Sequence, residues 1–160
     1  MTELNAKARR EVQVFTAFAN VSGLNIPTAS IASCKEPMPD VSCTLNGTEY
    51  FFELAEVVPG VQAQKLSTEG QYTSGFPDPE QRGHNAMLRI IQQKQKKSYE
   101  TGGNPVDLLL FFNRDFATYF PDTGGTPAEI DIAAQECKQK GPFTRIWTYC
   151  TWNNTCKLLA

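Results

Sequence analysis

The chain lacks most of the signals that identify a zinc-binding module, a secreted domain or a membrane protein. It has one histidine, His84, and five cysteines without a C-x-x-C pair, a pattern that fits neither the usual zinc-site spacings nor an even disulfide framework. No apolar run approaches the roughly 18 residues of a membrane span, and the N-terminus "MTELNAKARREVQ" has no apolar signal-peptide core. We therefore expect a cytoplasmic protein that makes no contact with a membrane and keeps its cysteines as free thiols.

A strong charge of either sign is missing too. The net charge is -2 and the pI is near 5.4, so no global field attracts the chain to nucleic acid, and a polyanion would need a local basic patch. With 160 residues, of which 41% are hydrophobic, the composition is that of a folded globular protein and not of a disordered or fibrous one. The length predicts a single domain over residues 1–160.

Apolar periodicity and turn residues predict the element order α, β, β, α, β, α, β, β. The predicted helices cover residues 2–20, residues 84–100 and the segment from Thr126 to Gly141; the predicted strands include residues 39–57 as a hairpin, 106–113, and a final pair joined at Asn153 and Asn154. A long Gly- and Pro-rich loop is expected over residues 59–83. The second helix is expected to end at Gly102. This order predicts an α/β fold with a mixed sheet flanked by helices and a C-terminal β-hairpin.

The first hairpin, "PDVSCTLNGTEYFFELAEV", carries one acid on each strand. If Asn46-Gly47 forms the two-residue loop that this dipeptide favours, Asp40 lies directly opposite Glu53. Strict alternation then places the apolar residues on one face, toward the core, and both acids on the other face. A three-residue loop would shift the register by one and separate the pair.

Two carboxylates in this relationship need a counter-charge. Directly opposite side chains have Cβ atoms roughly 4.5–5.5 Å apart, a distance at which like charges are destabilising. A divalent cation would resolve the conflict, and two carboxylates with the main-chain carbonyl of Leu54 suit Mg²⁺ or Mn²⁺. In the alternative interpretation, Asp40 merely begins a strand after Pro39 and Glu53 points to solvent.

A lysine continues the apolar stripe of the second helix. At about 100° per residue, Lys94 falls about 40° from the centre of the stripe that contains Met87, Ile90 and Ile91. An inward lysine needs an acidic partner or a route to water. The functional interpretation is that Lys94 approaches the two acids and stabilises charge on a phosphate. In the other interpretation it snorkels at the helix end, and "KQKK" is a solvated basic turn.

These features in this order resemble the PD-(D/E)XK nuclease superfamily. The matching segments are Pro39-Asp40, Glu53 in "FFELAEV", "QQKQKKSY" from Gln92 to Tyr99, and the apolar strand "VDLLLFF". The resemblance covers most of the chain and implies a restriction-endonuclease-like αβββαβ core. The usual pattern has lysine where this chain has Ala55, and several branches of the superfamily supply that lysine from the following helix, as Lys94 would here.

The resemblance also implies roles for further residues. "QKKSY", from Gln95 to Tyr99, is similar to the Q-x-x-x-Y helix motif of some of these nucleases, and a glutamate of the first helix sometimes joins such sites. The implied catalytic residues are Asp40, Glu53 and Lys94, with Asp40, Glu53 and the Leu54 carbonyl as metal ligands; the implied supporting residues are Glu11, Gln95, Lys97 and Tyr99. The basic turn at Lys94, Lys96 and Lys97 would contact backbone phosphates.

The implied function is Mg²⁺-dependent hydrolysis of phosphodiester bonds in DNA, or less often RNA. The low pI and the alanine at position 55 favour an alternative, a noncatalytic protein of the same fold that binds or regulates, such as an immunity or mobile-element protein. A third interpretation is an unrelated α/β protein whose carboxylates are structural. A homodimer paired through the terminal strands is compatible with the sequence, although nothing in it requires one.

Overall fold

A computed structural model describes residues 5–58, 79–114 and 128–160. The helices in these ranges are α1 (Ala6–Val21), α2 (Pro79–Gln95) and α3 (Ala128–Lys140), and the strands are β1 (Ala32–Ser33), β2 (Val41–Leu45), β3 (Thr48–Glu56), β4 (Val106–Phe112), β5 (Ile146–Cys150) and β6 (Thr155–Leu158). A short 3₁₀ turn at Thr28–Ser30 precedes β1. None of the helices within the described ranges is long and apolar enough to cross a membrane.

The first hairpin has the predicted register. Asn46 and Gly47 have φ angles of 51° and 78°, the left-handed values that a type I′ turn requires at both central positions. Leu45 pairs with Thr48, and Val41 pairs with Phe52. The next step along the same ladder brings Asp40 to the level of Glu53. The two-residue loop is therefore confirmed, and the shifted register is excluded.

The strands form one sheet in sequence order, β1-β2-β3-β4-β5-β6, as counted over the described residues. The pairs β1/β2, β2/β3 and β5/β6 are antiparallel, whereas β3/β4 and β4/β5 are parallel. Helices α2 and α3 provide the two parallel crossovers, as parallel pairing demands. The predicted α/β class with a mixed sheet is confirmed, and so is the C-terminal hairpin, formed by β5 and β6.

Apolar cores cover both faces of the sheet, which corrects the expectation that only one hairpin face is core. On one face, α1 packs Phe15 and Phe18 against Phe52 of β3. On the other face, α2 and α3 pack against Phe51 and Leu108. Strand β4 is buried along its whole length, as the continuous apolar run predicted. Glu53 shares the α2/α3 face with Phe51 by alternation and is consequently surrounded by core.

Helix α2 differs from its predicted limits at both ends. It begins at Pro79, within the predicted loop over residues 59–83, whose remaining part lies outside the described residues. It ends at Gln95, well before Gly102. Beyond this point Lys97 N donates to Lys94 O at 3.1 Å, and Glu100 N donates to the carbonyl of Pro37 at 3.1 Å. A local turn and one bond to a distant segment therefore fix the backbone before the glycines are reached. The predicted capping box starts at Thr126, outside the described residues.

Candidate functional site

Asp40 and Glu53 meet where β2 begins beside β3. Asp40 Oδ2 accepts a hydrogen bond from Leu54 N at 2.9 Å, so its side chain reaches across to the neighbouring strand. The N–H and C=O groups of one strand residue point to the same side. The Leu54 carbonyl is therefore directed toward the Asp40 side of β3. The three predicted oxygen ligands belong to one corner of the sheet.

Two donors from the α2 end converge on one oxygen of Glu53. Lys94 Nζ donates to Glu53 Oε2 at 2.9 Å, and the Tyr99 hydroxyl donates to the same oxygen at 2.6 Å. The side chains of Lys94 and Glu53 are 19% and 7% exposed. Lys94 thus points inward to an acid, and Glu53 is not the solvent-facing residue of the alternative interpretation.

Burial is the main cause that raises the pKa of both Asp40 and Glu53 above the ordinary carboxyl range. The charge of Asp40 raises the pKa of Glu53 further, whereas the Tyr99 hydrogen bond and the Lys94 ammonium lower it. The pKa of Asp40 is lowered by its hydrogen bonds with Glu53 and Leu54 N and raised by the charge of Glu11. Glu53 is buried and Asp40 half-buried, and two such carboxyl groups in mutual contact disfavour carrying two negative charges.

A cavity of about 310 Å³ opens beside this group. Its lining residues come from α1, from the loop before β2, from β3 and from the end of α2: Lys7, Glu36, Pro37, Met38, Asp40, Glu53, Leu54, Lys94, Lys97, Ser98 and Tyr99. Both acids and three lysines face the same space. Its volume is at the lower end of the range for small-molecule sites, roughly 300–1,000 Å³.

Three of the four predicted supporting residues lie near the two acids, and Gln95 does not. Glu11 faces Asp40 and is also 3.7 Å from Lys7, and Lys97 lines the cavity. Gln95 ends α2 with its backbone against Gly141 and is not among the described residues that line the cavity. Tyr99 lies beyond the helix. The Q-x-x-x-Y segment is therefore not one helical motif, which corrects that expectation.

The donor chemistry fits a hard divalent cation. The available ligands are the carboxylate oxygens of Asp40 and Glu53 and the Leu54 carbonyl, and oxygen-only sets completed by water are typical of Mg²⁺. A cation bound between the two carboxylates would offset their mutual repulsion. Within the described ranges, no group of three or more His, Cys, Asp and Glu side chains is spaced to hold a metal. A site here would depend on two carboxylates, one carbonyl and water.

A second polar network, centred on Asp107, was not predicted from the sequence. Asp107 is fully buried on β4 and accepts from the Tyr50 hydroxyl at 2.6 Å, from Arg145 Nε at 2.8 Å and from Trp147 Nε1 at 2.9 Å. The guanidinium of Arg145 also lies over the rings of Tyr50 and Trp147. This saturated network joins β3, β4 and the entry to β5, which is a structural role. An acid inside "VDLLLFF" was the available signal.

Comparisons with protein-family models, with curated proteins and with solved structures find no match for this chain.

Proposed function

We propose that the chain is a metal-dependent nuclease of the restriction-endonuclease-like type that hydrolyses phosphodiester bonds in DNA. The observation that carries the proposal is the convergence of Asp40, Glu53 and Lys94 on one cavity, with Lys94 Nζ 2.9 Å from Glu53 Oε2. The order of these residues on the αβββαβ part of the fold supports it. So does Lys94, which takes the place of the lysine missing at Ala55.

The chain's own groups have distinct tasks in such a reaction. Asp40, Glu53 and the Leu54 carbonyl would hold Mg²⁺ or Mn²⁺, and a bound ion supplies an activated water and charge for the phosphoryl oxygens. In the hydrolysis, a water oxygen bonds to phosphorus as the bond to the leaving oxygen breaks; the water releases one proton to solvent and the leaving oxygen takes one up. Lys94 stabilises negative charge on the phosphate. Tyr99 orients Glu53 through its hydroxyl.

Plasmid nicking tests the proposal. The wild-type chain should relax supercoiled DNA in the presence of Mg²⁺ or Mn²⁺ and not in EDTA. Asp40→Asn and Lys94→Gln should each reduce the nicking rate by at least about 100-fold, the usual effect of a charge-stabilising group. The matched control is Lys157→Gln on β6, an exposed lysine that should retain full activity.

Plasmid binding without cleavage by the wild-type chain would reject the enzyme and support the noncatalytic alternative. The ion pair of Lys94 with Glu53 favours that alternative. A lysine that neutralises a buried carboxylate can have a purely structural role. Nicking that survives in Asp40→Asn would reject the assigned site instead.

A further inference from the structure

The C-terminal ends of α2 and α3 come together next to the cavity. A Cβ atom at Gly141 would lie 3.2 Å from the Cα and 3.2 Å from the carbonyl oxygen of Gln95, so the two backbones touch where each helix has just ended. Cys137 Sγ, one turn earlier, donates to the carbonyl of Ile91 at 3.7 Å. Residues that flank Gln95 and Gly141 therefore share one surface.

Lysines occupy that surface on both sides of the contact. Lys96 and Lys97 follow α2 directly, and Lys138 and Lys140 lie in the last turn of α3. All four are exposed. We refer to Lys96, Lys97, Lys138 and Lys140 as the lysine patch. Because Lys97 also lines the cavity, the patch is continuous with the space that contains Asp40 and Glu53.

Little of this charge is neutralised nearby. In the part of the chain that the structure describes, Lys140 pairs with Glu136 at 3.0 Å, and the other three lysines form no ion pair. Both side chains of that pair are more than half exposed, so the pair contributes little and exchanges readily with another anion. Glu100, also exposed, is the one acid shortly after Lys97.

Stabilisation of helix ends does not account for the whole patch. Lysines in the last turn of a helix interact favourably with the helix dipole, which applies to Lys138 and Lys140. Lys96 and Lys97 lie outside α2, and Lys97 faces the cavity. Two of the three acids of α3, Glu129 and Asp131, are in its first turn, roughly 10 Å or more from Lys138 at 1.5 Å per residue; the third, Glu136, is the partner of Lys140. That separation is about one Debye length at 0.1 M salt.

We propose that the lysine patch binds the sugar-phosphate backbone of a nucleic acid beside the phosphate that enters the cavity. The chain has a net charge of -2, so binding of a polyanion depends on a concentrated patch such as this one. The inference takes its substrate class from the proposed function. It concerns binding alone and needs no metal and no cleavage.

The test is a fluorescence anisotropy titration of a labelled 20-base-pair DNA duplex with the full chain in EDTA, at several NaCl concentrations. The variants are Lys138→Gln/Lys140→Gln, which lie away from the cavity, and the matched control Lys157→Gln. The slope of log K against log salt is negative, and each lost phosphate contact makes it less steep by about 0.9. The double variant should therefore have a slope that is less steep by about 1 to 2 and should bind several-fold more weakly at low salt. Lys157→Gln should match the wild type.

An unchanged slope and affinity in the double variant, with circular dichroism showing it folded, would overturn the proposal. A wild-type protein that does not bind the duplex would overturn the proposal as well. Binding to phosphatidylserine vesicles without binding to the duplex would also count against it. The outcomes separate the two proposals. DNA binding that depends on the lysine patch, without nicking, would reject the nuclease and support the patch. Nicking together with DNA binding that does not depend on the patch would support the nuclease and reject the patch.

Discussion

Lys94 Nζ lies 2.9 Å from Glu53 Oε2 although 41 residues separate them in the chain. The bond links the helix behind the sheet to the acid on β3, at the wall of the cavity, where both side chains are largely shielded from solvent. An ammonium in such surroundings requires this partner. Glu53 also faces Asp40, whose charge raises the pKa of Glu53. The two acids are therefore electrostatically coupled, and Lys94 opposes their mutual repulsion.

Asp40→Ala should abolish the binding of a divalent cation. The change removes one of the two carboxylates and leaves only Glu53, whose Oε2 already accepts from Lys94 and Tyr99. Isothermal titration calorimetry with Mn²⁺ at pH 7.5 should give a binding isotherm for the wild type and only dilution heat for the variant. Lys157→Ala should bind as the wild type does. A wild-type chain that takes up no Mn²⁺ would contradict the metal site.

Asp40→Asn should stabilise the chain at alkaline pH. The raised pKa values of Asp40 and Glu53 mean that the folded chain holds more protons than the unfolded chain, so the free energy of unfolding falls as pH rises above about 4. Asparagine still accepts from Leu54 N but carries no charge. We expect a gain of about 0.5–2 kcal/mol at pH 8 that shrinks toward pH 4.

Urea unfolding at pH 4.5, 6 and 8 measures this difference between the variant and the wild type. Glu136→Gln, which removes an exposed acid, should follow the wild-type pH dependence at every point. A stability difference between Asp40→Asn and the wild type that does not change with pH would show that the two acids are not coupled in the folded chain.

Tyr99→Phe should lower the free energy of unfolding by about 1.5–3 kcal/mol at pH 8, the range for a hydrogen bond to a charged group. The ring would keep its contact with Phe143, whose centroid is 5.9 Å away, so the loss reports on the hydroxyl. The expected loss is smaller at pH 4.5, because the raised pKa of Glu53 favours its protonation there. Chemical denaturation at the two pH values provides the measurement, and equal losses at both would argue against a charged acceptor.

Asp107→Ala should destabilise the chain by about 3–5 kcal/mol, because truncating one partner of a buried ion pair leaves Arg145 uncompensated. Tyr50 and Trp147 would lose their acceptor at the same time. Urea denaturation compares it with Glu136→Gln, which should remain within about 0.5 kcal/mol of the wild type. If the variant folds, its Mn²⁺ affinity should be unchanged; a change in affinity would mean that this network also shapes the site.

Much of the fold was predictable because short-range rules determine it. The Asn-Gly loop fixed the register of the hairpin, and a period of two then assigned every side chain of β2 and β3 to a face. The same step placed Asp40 at the level of Glu53. The inward direction of Lys94 followed from helical periodicity alone.

What the sequence did not reveal depends on contacts between distant segments. After α2 ends at Gln95, the chain leaves the helix direction and Glu100 N bonds to the carbonyl of Pro37, a residue far away in the sequence; no local residue signals this path. Tyr99 reaches Glu53 from an irregular segment, which a helical motif does not predict. The donors to Asp107 come from β3 and from β5 with the residue before it, so the apolar run around Asp107 does not reveal its partners.

The bond from Glu100 N to the Pro37 carbonyl fastens two walls of the cavity to each other. One wall is the loop that leads into Asp40, and the other is the segment that delivers the Tyr99 hydroxyl to Glu53. Neither wall can retreat alone without breaking that brace. A ligand that forces these two walls apart would therefore have to break this hydrogen bond.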